Sequence, residues 1–166
     1  MVSTHQILFV LTLAATLGCG LIAGVFFAFS VFVMKALSRL PTRGGVAAMQ
    51  SINVTVLNPW FVGAFLGTSA ICLILLVWSS LRWHEPNTVF LTLGSLLYLV
   101  GTLLVTIVFN VPKNEALATV TPDDSEAQSQ WNSYVASWTA WNHVRTITSL
   151  AAACCFGIAL ATGSLG

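Results

Sequence analysis

Charge is what this chain has least of. Only 7% of its 166 residues are charged, against about 25% in ordinary soluble domains. A chain so poor in charge and 57% hydrophobic cannot cover a water-facing globular surface, so its solvent is lipid. A net charge of +1 supplies no basic face and excludes nucleic acid as a partner. No Asp or Glu falls in any long apolar run, which removes the membrane carboxylate that proton-coupled transport normally needs. Histidine is scarce too. His5, His84 and His143 lie far apart, and no three-ligand site for zinc, iron or copper can be assembled from them. Haem on His143 is a minor possibility without an evident second ligand; otherwise no metal and no cofactor is implied. Glycine-rich phosphate loops, GxGxxG and GxSxG are absent. Cys19, Cys72, Cys154 and Cys155 lie in apolar runs without a CxxC pair and read as small buried hydrophobes.

What the chain does have is four apolar runs, at about 7–34, 58–81, 89–111 and 138–165. Each reaches the roughly 20 residues that cross a bilayer, and in lipid only a helix satisfies its own backbone. The expectation is an all-α integral membrane protein: one domain over 1–166, a four-helix up-and-down bundle. The first run lacks a basic start and exceeds a signal-peptide core, so it reads as a retained helix. Thr16, Gly20, Gly24 and Ala28, then Gly63 and Gly67, then Gly94 and Gly101 form small-residue rows. Such rows mark packing seams within the bundle or between subunits of a homo-oligomer. Gly44 to Val56 reads as a short interfacial helix with Ala47, Ala48, Ile52 and Val56 on one side. Thr121-Pro122-Asp123-Asp124 reads as a helix start.

Lys and Arg set the orientation. Lys35, Arg39, Arg43 and Lys113 lie in or beside the first and third connections, with Arg145 just inside the fourth span, and only Arg82 lies on the other side. The positive-inside rule puts those connections in the cytoplasm and both termini outside.

Polar residues at membrane depth are costly and therefore informative. Phe29, Ser30 and Lys35 near the end of the first run, Asn58-Pro59-Trp60, Asn110, and Trp138 to Arg145 alternate onto one end of the bundle. The far end offers His5, Arg82, His84, Glu85 and Asn87, an ordinary interfacial set. The convergence predicts a polar, aromatic-walled pocket lined by Phe29, Ser30, Asn58, Trp60, Asn110, Trp138 and Trp141. Each member also has a plain structural reading. Asn58-Pro59 starts a helix, Asn110-Val111-Pro112 ends one, the tryptophans form an interfacial belt, Arg145 snorkels, and His143 is a satisfied helix histidine.

One imidazole, one guanidinium, several amides and many aromatic rings suit deprotonation of a carbon acid or phenol. Four motifs carry a family resemblance: Phe26-Phe27-Ala28-Phe29-Ser30, Asn58-Pro59-Trp60, Val105 through Asn114, and Trp138 through Thr146. With them the chain resembles the anthrone oxygenases, small membrane proteins whose fungal members are linked to oxidation of anthrones by dioxygen. The resemblance implies a flat, hydrophobic aromatic substrate. On chemical grounds His143 is the candidate base, Arg145 and Asn142 the candidate holders of the enolate oxygen, and Trp60, Trp138 and Trp141 the stacking surfaces. At 100° per residue, His143 points away from the stripe of Trp138, Asn142 and Arg145; as the base, its ring should reach the cavity lined by Asn58, Trp60 and Asn110, and if only one of the two faces that pocket it is expected to be Arg145, with His143 then structural. The rival reading is a non-enzymatic module binding a lipid, a quinone or a partner protein.

Overall fold

The computed structural model describes residues 3–85 and 88–163, all of them helix or connection with no strand among them. Asn87 and the end of the fourth apolar run, 164–165, fall outside the described residues. The chain folds into α1 (Thr4–Leu37), α2 (Thr42–Thr55), α3 (Pro59–Leu81), α4 (Thr88–Ala118) and α5 (Ala127–Gly163). α1, α3, α4 and nearly all of α5 are long and apolar enough to cross a membrane. They alternate in direction and form a ring in which α1 touches α3 and α5, and α4 touches α3 and α5.

Local signals explain the ends. Ser3 and Gln6 form a reciprocal capping box at the start of α1, satisfying backbone donors that have no helical partner. Asn58 caps α3, accepting from the amides of Trp60 and Phe61, with Pro59 at the first helical position. α4 does not end at Asn110-Val111-Pro112 but runs on to Ala118. The fourth helix starts at Ala127, not near Pro122; residues 122–126 make turns, and Asp123 pairs with Arg43 at 3.5 Å. α2 forms much where the sequence places it, but its buried face is Gly45, Val46 and Met49, and Ala47 is exposed. The reason is Trp131 of α5, whose indole lies so close to Gly45 that a Cβ there would meet it at 2.9 Å.

The outside of the bundle is as apolar as its core, where Ile22, Phe26, Leu75, Tyr98 and Phe156 pack together. Leu17, Leu21, Leu81 and Ile147 are each at least 60% exposed, while Thr12, Ser79, Ser95, Thr102, Asn110, Asn142, Arg145 and Ser149 are buried. An apolar outside around a core that also holds hydroxyls and amides is what a lipid solvent selects. Of the glycine rows, the α4 row packs inside: Gly94 lies under Phe156, and Gly101 under Thr148. Gly20, Gly24, Gly63 and Gly67 have open space over them, so they are not seams of this bundle. Cys19 and Cys72 are core residues, but Cys154 is exposed on the bundle surface.

Two spans are wound wider than an α-helix over part of their length. α1 is π-helical over Phe29–Val33, and α4 over Leu99–Leu104 and Thr106–Asn110. Pro112 accounts for the last of these. It has no N–H and its ring crowds the carbonyl four residues back, and the turn relaxes so that Val111 N–H bonds Thr106 O. Such turns displace carbonyls and side chains from helical register and are frequent at functional sites.

Candidate active site

One widened turn, Thr106–Asn110, meets a buried basic residue through Thr106. Arg145 of α5 is 4% exposed, yet none of the ion pairs among the described residues includes it. Its guanidinium lies 4.1 Å from the Phe26 ring and 5.0 Å from the Trp138 ring, a cation held between π faces. Nη2 donates to Asn142 Oδ1 at 2.6 Å and Nη1 to Thr106 Oγ1 at 3.3 Å. Arg145 and Asn142 are three residues apart and share one face of α5.

Asn142 is the hub. Fully buried, it donates through Nδ2 to Phe26 O and to Ser30 Oγ, each at 2.7 Å. The π turn at Phe29–Val33 brings Ser30 Oγ within this reach. Proton accounting fixes one direction. Thr146 Oγ1 donates to Asn142 O, so in the 3.2 Å Ser30–Thr146 contact the serine hydroxyl is the donor, and its oxygen accepts from Asn142. Asn110, also buried, donates to Trp138 O at 3.3 Å. Its Oδ1, Trp138 Nε1 and Arg145 Nε have no partner. Above the guanidinium, Trp131, Tyr134 and Trp138 stack at 5.7 and 6.2 Å, and Phe29 leans on Trp138 at 5.9 Å.

On the outer side of Ser30 a groove of about 430 Å³ opens between α1 and α5, lined by Ser30, Met34, Lys35, Val135, Thr139 and His143. His143 is exposed. Ser30 is therefore the wall between the imidazole side and the guanidinium side.

The structure brings Phe29, Ser30, Asn110, Trp138, Asn142 and Arg145 together. It does not bring in three residues that the sequence reading placed with them. Trp60 is 89% exposed at the start of α3, which points its ring outward. Asn58 spends its side chain on the α3 cap and on Thr55 O. Trp141 stacks instead on Phe109 of α4 at 3.6 Å. His143 does not reach a cavity shared with Asn58, Trp60 and Asn110; it reaches the groove, about 100° around α5 from Asn142. Phe26, Thr106, Tyr134 and Thr146 belong to the site and were not singled out as site residues. Helical spacing offered two of them, since Thr146 is four residues from Asn142 and Tyr134 four from Trp138. Among the described residues no three His, Cys, Asp or Glu side chains gather as a metal site would require.

These features define an integral-membrane four-helix bundle with a buried, carboxylate-free guanidinium beside a side-opening groove. A family model described as anthrone oxygenase matches residues 57–155, and the chain belongs to that family. No curated protein and no solved structure matches it.

Proposed function

We propose that the protein oxidises a flat, hydrophobic aromatic carbon acid with dioxygen and without a cofactor, and that the substrate lies in the groove between α1 and α5. The observation that carries this is Ser30. Its hydroxyl lines the groove with His143 and is tied through Asn142 to Arg145. Family membership supports the substrate class.

His143 takes the ring proton of the carbon acid, leaving an enolate whose charge rests on oxygen. Ser30 turns its proton from Thr146 to that oxygen. The guanidinium polarises the Asn142 amide, whose N–H in turn polarises the serine, and such chains strengthen in a low dielectric. The enolate passes one electron to dioxygen, and the resulting radical and superoxide join in a carbon–oxygen bond. The proton held by His143 gives a hydroperoxide. Loss of the remaining C–H hydrogen with cleavage of the O–O bond releases water and leaves a carbonyl. One dioxygen is consumed, and one quinone and one water are formed. An apolar substrate enters this groove from the bilayer, and the positive-inside expectation puts the groove at the cytoplasmic interface.

The test is oxygen uptake and quinone formation by the protein reconstituted in liposomes with an anthrone, corrected for spontaneous oxidation. His143→Ala should lower the rate about 10²–10⁴-fold, the span of general-base effects, and Ser30→Ala less. Protein that copurifies with a quinone or lipid and takes up no oxygen would overturn the enzyme reading in favour of a binding module.

A further inference from the structure

The groove beside Ser30 has two unlike ends. Its α1 wall is formed by Ser30, Met34 and Ser38, with Lys35 next to Met34. Ser30 touches Asn142 and Thr146 of α5, and α5 runs against α1, so the Ser30 end of the groove is also the His143 end. Lys35 stands five residues further along α1, roughly 7 Å nearer the connection to α2 at the helical rise of 1.5 Å per residue. It is exposed, and no ion pair among the described residues includes it. Met34, Val135, Ala136 and Ala140 make much of the lining apolar, and among the described residues that line the groove there is no Asp or Glu. A slot with an imidazole and a hydroxyl at its deep end and an unpaired ammonium at its interfacial end is complementary to a flat apolar body with one anionic end.

We propose that Lys35 is the specificity-determining residue of the groove and that it pairs with a carboxylate carried by the aromatic substrate. This deepens the reading given under Proposed function and rests on it for the aromatic body. The carboxylate stays near the headgroups, where water still reaches it and its charge costs little, while the rings lie deeper among apolar side chains. Holding one end places the other. An acid paired with Lys35 presents its far ring to His143 and Ser30, so the ammonium selects which substrates enter and which end of them meets the base.

The test compares an acid with its methyl ester on the full chain reconstituted in phosphatidylcholine liposomes. Binding is read first, with an anthracene carboxylate and its ester, fluorescent probes whose aromatic central ring has no acidic C–H and which therefore bind without turnover. Protein-free liposomes supply the correction for partitioning. Lys35→Gln should weaken the acid about fivefold, the upper range for an exposed ion pair. It should leave the ester unchanged, which also shows that the variant is folded. Lys35→Arg should keep the affinity for the acid. With an anthrone carboxylate as substrate, Lys35→Gln should raise KM by a similar factor and leave kcat alone, because the pair is made equally before and during proton transfer. With the ester neither constant should move. An acid-to-ester ratio of affinities that Lys35→Gln leaves unaltered overturns the proposal. If phospholipid then copurifies with the wild type and is lost from Lys35→Gln, the ammonium belongs to a lipid headgroup. The two readings fail separately. Discrimination in binding without any oxygen uptake keeps the role of Lys35 and removes the oxidation. Oxygen uptake with acid and ester alike, in wild type and variant, keeps the oxidation and removes the role of Lys35.

Discussion

The two halves of this bundle handle polarity in opposite ways. In the half that holds the N-terminal parts of α1 and α4, hydroxyls mostly look after themselves. Thr12, Thr16, Thr68 and Ser69 each donate to the carbonyl four residues back on their own helix, and the contacts between helices are those of Ser79 with Thr92 and of the Tyr98 hydroxyl with the Phe65 carbonyl. In the other half polar groups reach across. Asn142 of α5 holds a carbonyl of α1, Asn110 of α4 holds one of α5, and Arg145 of α5 holds a hydroxyl of α4. That half also contains the π turns on α1 and much of those on α4, together with several unpartnered buried atoms. Polarity that satisfies itself locally serves packing. Polarity that reaches across helices and still leaves buried atoms open, as at Asn110, Trp138 and Arg145, is the part of the bundle on which the proposed reaction rests.

The sharpest way to break this contrast is Asn142→Leu. The variant removes the partner of Arg145 Nη2, Ser30 Oγ and Phe26 O at once, within a buried network. Leaving a buried charge short of an acceptor costs about 3–5 kcal/mol, so thermal unfolding in detergent should show a large loss of stability. Thr12→Val, in the other half, should change stability by less than about 1 kcal/mol, because the hydroxyl it deletes serves only its own helix. Equal losses for the two variants would erase the distinction.

Glycines give a second, smaller contrast. Gly101→Val drives new methyl groups into Thr148, and overpacking of this kind costs about 1–3 kcal/mol. Gly63→Val meets open space and should be nearly neutral in the purified monomer. A large loss for Gly63→Val would instead show that its face is covered in solution.

Much of the fold was legible in the sequence. Four apolar runs in lipid leave few alternatives, and alternation of direction then brings Ser30, Asn110 and Asn142 to one end. Inward and outward were less legible. A soluble helix marks its buried face with apolar residues, but these spans are apolar all round, so nothing in the pattern distinguished Trp60, which points outward, from Trp138, which points inward. α2 was read from its alanines, yet its inner face was chosen by Trp131, 86 residues beyond Gly45 in the sequence and brought to it only by the fold. The π turns were hidden as well. Only Pro112 announces one, and the turn at Phe29–Val33 that brings Ser30 to Asn142 has no residue that requires it.

Membrane orientation can be checked without touching the site. Cysteine introduced at Arg43 should label only after permeabilisation of the cell, and cysteine at Arg82 should label from outside. Both positions are exposed, so neither change should disturb the bundle, and reversed labelling would put the groove on the opposite face of the membrane.

The smallest effect expected on stability is that of His143→Ala, and it separates function from structure most cleanly. The imidazole is exposed on the outer side of α5, and no protein hydrogen bond to it is seen among the described contacts. Its loss should therefore shift stability by no more than about 0.5 kcal/mol. As the base proposed for the groove it should nonetheless govern turnover. The alanine variant should unfold at the wild-type temperature and lose most of its oxygen uptake. A variant that unfolds early would make His143 a structural residue. One that stays folded and oxidises the anthrone at the wild-type rate would remove it from the reaction and move the search for the base to another residue lining the groove.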